Sequence, residues 1–143
     1  MMADEKKGGV SNGVSHTGNI LLVDDDKFLL DMYSMKFVQD GYSVQACLSG
    51  HDAIAALKAG FAPDAILFDL TMPECDGFEF LQILAKEGLA KSAIKLALTN
   101  QSTDAEKQKA IELGADQFLV KATLIPSEVV NTVNTALSSR KAA

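Results

Sequence analysis

The sequence predicts an α/β fold, a doubly wound parallel sheet of five strands with five helices. Two observations carry that expectation. From Asn19 onward, short apolar runs alternate with longer amphipathic ones, the pattern of a sheet wrapped by crossover helices. The short runs are also almost continuously apolar, as parallel strands buried on both faces should be.

The first candidate strand is "NILLVD" (19–24). Phe28, Met32 and Met35 then recur at helical spacing and predict the core face of a first helix. "DGY" at 40–42 turns the chain into "SVQAC" (43–47), and Ile54 and Leu57 mark a second helix. "FAP" at 61–63 precedes "DAILFD" (64–69), and the loop "MPECDG" (72–77) leads to a third helix marked by Phe78, Leu81 and Leu84. The fourth strand is "AIKLAL" (93–98). The helix after it, roughly 103–113, has few apolar residues and should be the most exposed. "LGAD" (113–116) leads to "QFLV" (117–120), and Val130, Val133 and Leu137 mark the fifth helix.

Composition bounds the function. With 143 residues, 48% of them apolar and 22% charged, the chain can bury one domain core. Net charge is −6 and the 13 basic residues form no dense stripe, which argues against a nucleic-acid phosphate surface as partner of this domain. No apolar run approaches the roughly 20 residues that cross a bilayer, and the N-terminus lacks the apolar stretch of a signal peptide. The expectation is a cytoplasmic protein. Two cysteines make no disulfide framework: Cys47 should be a small buried residue, and Cys75 an exposed one in its loop. Residues 1–18, rich in Gly, Ser, Asn and Lys, read as a disordered tail containing His16. The folded part is expected over 19–139, with a short C-terminal tail at 140–143. His51 should lie on the surface at the start of helix two.

The chemistry gathers at the strand ends. In open α/β sheets, ligands bind beyond the carboxyl ends of the strands. There stand Asp24 and Asp25 after strand one, Asp69 at the end of strand three, Thr99 after strand four and Lys121 after strand five. Each acid alone could cap a helix, but capping does not explain all five polar groups at one edge. Clustered carboxylates repel unless a cation sits among them. A hard divalent ion such as Mg²⁺ or Mn²⁺ takes oxygen ligands and commonly shares them with a substrate phosphate. A nucleophilic carboxylate, a metal, a hydroxyl and an ammonium are together the parts for phosphoryl transfer onto an aspartate.

These residues carry a resemblance. "ILLVDDD", "DAILFDLTMPECDGFEFL", "KLALTN" and "GADQFLVK" match, in content, order and separation, the response-regulator receiver domains of two-component signalling. The resemblance covers about residues 19–139. It implies a flavodoxin-like fold with strand order 2-1-3-4-5, an order that comes with the family, because the apolar pattern alone does not fix it. It implies that Asp69 accepts a phosphoryl group from a phosphohistidine of a sensor kinase or histidine phosphotransfer protein. Asp25 then resembles the direct metal ligand, Asp24 its acidic neighbour, and Thr71 the residue whose backbone carbonyl meets the metal. Thr99 resembles the hydroxyl that swings toward the phosphoryl group, Lys121 the lysine of the acidic pocket, and Phe118 the aromatic switch residue. Asp26 reads as the N-cap of helix one. Such a domain is not a classical enzyme, although it assists its own phosphorylation and dephosphorylation. The implied output face is helix four, strand five and helix five, docking a downstream protein target.

Two departures from the family stand out. Asn100 occupies a position usually held by a small residue. Ala122 follows Lys121 where the family has a proline in a cis bond; a trans Lys121–Ala122 bond is therefore expected, with Ser127 or a residue just before it capping helix five. A pseudo-receiver that is never phosphorylated is disfavoured by the intact set of acids, Thr and Lys. A haloacid-dehalogenase-type phosphohydrolase would want an Asp where Thr71 stands, and a cap domain for which the chain has no room.

Overall fold

The computed structural model describes residues 17–100 and 103–142, with side chains through Arg140. Its elements alternate without exception: β1 Asn19–Val23, α1 Lys27–Gln39, β2 Ser43–Cys47, α2 Gly50–Lys58, β3 Ala65–Asp69, α3 Gly77–Glu87, β4 Ile94–Thr99, α4 Asp104–Glu112, β5 Gln117–Val120 and α5 Pro126–Ala142. A single 3₁₀ turn, Lys121–Thr123, follows β5. All strand pairs are parallel, in the order β2-β1-β3-β4-β5.

Two apolar layers sandwich the sheet, because successive strand residues point to opposite faces. Ile20, Leu22, Leu67, Leu96 and Leu98 pack on one face with α1 and α5. Leu21, Val23, Ile66, Phe68 and Ala97 pack on the other with α2, α3 and part of α4. Phe68 and Phe80 meet there with ring centroids 5.5 Å apart, a spacing favourable for tilted rings. The prediction of uniformly buried strands holds for β1 and β3. It does not hold at the edges, where most of β2 is exposed or half-buried and every residue of β5 is half-buried.

Helix α1 turns the opposite way from its predicted face. Leu30, Tyr33 and Phe37 are buried, whereas Phe28 is 75% and Met35 59% exposed, with Met32 intermediate. Apolar residues lie on both sides of this helix, so spacing alone could not choose between the stripes. The N-cap is as expected, with Asp26 accepting from the Leu29 N–H at 3.2 Å. Helix α4 buries only Ala110, as its composition predicts.

The expected tails differ at their inner edges. Residues 1–16, His16 included, lie outside the described residues. Gly18 belongs to the sheet's margin, its carbonyl accepting from Ser43 N–H at 2.9 Å. At the other end the expected tail at 140–143 is replaced by helix through Ala142. Arg140 donates there to the carbonyls of Ser92 at 2.7 Å and Asp64 at 3.2 Å.

Candidate functional site

The register builds the site. Val23 stands beside both Cys47 and Phe68, so Asp24 emerges next to Asp69. Asp69 in turn faces Leu98, which brings Thr99 one step beyond it, and Thr99 faces Val120, the residue before Lys121. Asp69 and Thr99 close their strands while Asp24 leaves β1, its N–H held by the Cys47 carbonyl at 3.1 Å. Neighbouring strands thus deliver carboxylates, a hydroxyl and an ammonium to one edge.

Lys121 completes the cluster. Its ammonium donates to Asp24 Oδ2 at 2.6 Å and to Asp69 Oδ2 at 3.2 Å, with all three side chains almost fully buried. Burial opposes the Lys121 charge, but the hydrogen bond to Asp24 and the charges of Asp69 and Asp24 outweigh it, so its pKa rises. Asp69 is pushed upward chiefly by burial, against the pull of the Thr71 N–H and Lys121. The second oxygens are engaged too. Asp24 Oδ1 accepts from Asp26 N–H at 2.9 Å, and Asp69 Oδ1 from Thr71 N–H at 3.1 Å.

Asp25 is exposed beside this pair. One carboxylate oxygen from each of Asp24, Asp25 and Asp69 lies within 4.8 Å of the others. An all-oxygen donor set of this compactness, open on the Asp25 side, fits a hard divalent cation and not a soft metal. The Thr99 side chain is buried at the same edge. Phe118 is half-buried against the layer shared by α2 and α3.

The loop after Asp69 is shaped by close packing. Cys75 is only 2% exposed, contrary to its expected surface position. The neighbour that admits it is Gly50, where an added Cβ would sit 2.8 Å from Cys75 Sγ. Burial, and the charges of Glu79 and Asp76, push its thiol pKa up. Glu74 adopts φ 69°, and the Cys75 N–H turns back to the Pro73 carbonyl at 2.7 Å. Asp76 and Glu79 form a reciprocal capping box on α3. Gly77, the last residue of the loop "MPECDG", matters for space: a Cβ there would lie 2.7 Å from Leu70 Cα and 2.8 Å from the Asp69 carbonyl oxygen.

The remaining expectations are met in mixed fashion. No described residue is joined by a cis peptide bond, so Lys121–Ala122 is trans as predicted. Helix α5 starts at Pro126, which places Ser127 inside its first turn. Its cap is supplied from within, Glu128 Oε1 accepting from Ile125 N–H at 2.9 Å. Cys47 is buried and His51 exposed, both as expected. Asn100 is exposed beside Thr99. Sequence reasoning missed Tyr33, a phenol 3% exposed and close enough to feel the charges of Lys121, Asp24 and Asp69.

Residues 20–134 match the family model described as response regulator receiver domain. The chain is 35% identical over 118 residues to the regulatory protein VanRc of Enterococcus gallinarum, covering 82% of this chain and 49% of that protein. It is 31% identical over 123 residues to the response regulator SaeR of Staphylococcus aureus, covering 86% of this chain and 52% of that one. The chain therefore spans about half the length of these curated relatives. Among solved structures, a chemotaxis protein CheY4 of Vibrio cholerae is similar with TM-score 0.75 and 31% identity, over 84% of this chain and 98% of that one. A CheY-like receiver domain protein of Methanospirillum hungatei shares the fold with TM-score 0.79 at 23% identity, over 88% and 98%.

Proposed function

This chain belongs to the response regulator receiver domain family, and from that premise we propose that it accepts a phosphoryl group on Asp69. The donor is a phosphohistidine of a sensor kinase or histidine phosphotransfer protein. In the transfer the phosphorus–nitrogen bond breaks, a bond to an Asp69 carboxylate oxygen forms, and the imidazole keeps the departing electron pair. The observation that carries this reading is the joint approach of Asp24, Asp69 and Lys121, buried at the carboxyl edge of the sheet.

Each residue has a part in the proposal. Asp24, Asp25, Asp69 and the backbone carbonyl of Thr71 would hold Mg²⁺ or Mn²⁺, which supplies charge neutralisation for the phosphoryl oxygens when bound. Lys121 pairs with the acids before transfer and with a phosphoryl oxygen after it. Thr99 donates its hydroxyl to another oxygen, and Phe118 follows by changing rotamer. The resulting change is read by a protein target on the face made by α4, β5 and α5. No described helix is long and apolar enough to cross a membrane; the cytoplasmic setting is itself part of the proposal.

Labelling with acetyl phosphate tests the reading. The chain should gain an acid-labile, hydroxylamine-sensitive label that requires Mg²⁺, and Asp69→Asn should abolish it. Undiminished labelling of Asp69→Asn would remove Asp69 from the role. Labelling independent of metal would remove the ion.

A further inference from the structure

Helix α4 is the least anchored helix of the fold. Of its nine residues, Asp104–Glu112, only Ala110 is buried. Its inner surface therefore contributes little hydrophobic stabilisation, since that scales with the apolar area removed from water. Yet it is not held by Ala110 alone. The Lys109 ammonium lies 4.4 Å from the centroid of the Phe78 ring on α3.

The two partners differ in setting. Phe78 is half-buried and packs against the core layer on that side of the sheet, so its ring is a supported platform. Lys109 is exposed, and its long stem carries the charge across from α4. The negative face of the ring attracts the ammonium from the side of α3. Consecutive helical residues are about 100° apart around the axis, so this pull acts in a different direction from the entry of Ala110 into the core. One helix is tied to its neighbour by a contact between two side chains, neither of which belongs to a strand.

Position makes that contact consequential. Thr99 ends β4 beside Asp69, and the chain passes from it through residues 100–103 directly into α4. Only four residues separate Thr99 from Asp104, so a movement of Thr99 toward a phosphorylated carboxylate would act on the N-terminus of α4. We propose that the Lys109–Phe78 contact is a latch, holding α4 against α3 and opposing its displacement when Asp69 is phosphorylated. This regulatory role rests on the receiver reading given above. The holding contact itself does not.

A double-mutant cycle on the full chain separates the two. Lys109→Met keeps the stem and removes the charge, Phe78→Leu removes the ring, and the third variant carries both. Amide hydrogen exchange in α4 is followed against the sheet amides as reference. Each single variant should speed α4 exchange about two- to five-fold, the scale of an exposed cation–ring contact, while the double variant should exceed neither. Lys109→Arg should stay close to the original chain. Additive effects in the double variant, or α4 exchange unchanged in Lys109→Met, would overturn the latch whatever the labelling shows. Labelling by acetyl phosphate with Mg²⁺ should also quicken about two- to five-fold in Lys109→Met. Faster exchange with unchanged labelling would overturn the opposition to phosphorylation and leave only a structural tie. Absence of label in the original chain itself would instead count against the receiver reading and, with it, against the regulatory half of the latch.

Discussion

The ammonium of Lys121 stands 2.6 Å from Asp24 and 3.2 Å from Asp69, tying the ends of β1, β3 and β5 to one cation. Both acids are nearly excluded from water. Removing one partner from a buried ion pair leaves the other charge uncompensated, which costs more than the pair itself contributes. Lys121→Met should therefore lower metal-free stability by about 3 kcal/mol. Added Mg²⁺ should recover part of that loss by taking over the neutralisation. Urea unfolding with and without the ion measures both effects, and a variant indifferent to Mg²⁺ would contradict them.

Asp69 gives stability a pH dependence of unusual sign. Burial raises its folded pKa above the unfolded value. Below the unfolded value, near pH 4, the carboxyl is protonated in both states and costs nothing. As pH climbs from there toward the folded pKa, the unfolded state releases its proton first, so folding loses stability. Above the folded pKa the penalty stays constant. Asp69→Asn should accordingly be more stable than the original chain at pH 7 without metal, and the advantage should shrink to nothing below about pH 4. Thermal unfolding across that range decides the matter; a constant difference at every pH would refute it.

Asn100 lies exposed beside Thr99, at the rim of the acidic site. Its amide is larger than the small residue usual at this position in the family, and the expectation is that it narrows the approach of a small phosphodonor. Asn100→Ala should label faster with acetyl phosphate, and an equal or slower rate would dismiss the crowding argument.

Gly77 is required by contact and not by backbone conformation. Its missing side chain would strike Leu70 Cα and the Asp69 carbonyl, which are backbone atoms with little room to yield. Gly77→Ala should cost about 2 kcal/mol, within the usual range for forced overpacking. It should also slow labelling, because relief of the clash shifts the residue that carries the nucleophile. Stability and labelling rate both unchanged would show that the loop relaxes freely.

The sheet and the acidic site were largely legible in the sequence because they rest on continuous features. Runs such as "ILLV" and "AILF" can be satisfied only by burial on both faces, and acids at their ends then fall on one edge. The orientation of α1 was not legible. Phe28-Met32-Met35 and Leu30-Tyr33-Phe37 are both apolar stripes, and only contact with α5 and the sheet selects the second. Burial of Cys75 depends on the absence of a side chain at Gly50, a distant residue whose proximity no local pattern reveals. Edge strands escaped for a related reason: whether β2 or β5 is covered depends on which strands lie beside it, and strand order is not written in any one strand.

The three charges of the buried cluster leave the ribosome in a fixed succession. Asp24 comes first, Asp69 next, and Lys121 is separated from Asp24 by 97 positions along the chain. Synthesis at about 5–20 residues per second makes that interval several seconds. During it the nascent chain can pair β1, β2 and β3 while its two acids still await their counter-charge. Until β5 arrives, only a cation from the surrounding solution can stand between them. The last strand is thus also the electrostatic closing step of biosynthesis, and chains interrupted before it keep Asp24 and Asp69 without their lysine at the carboxyl edge of the sheet.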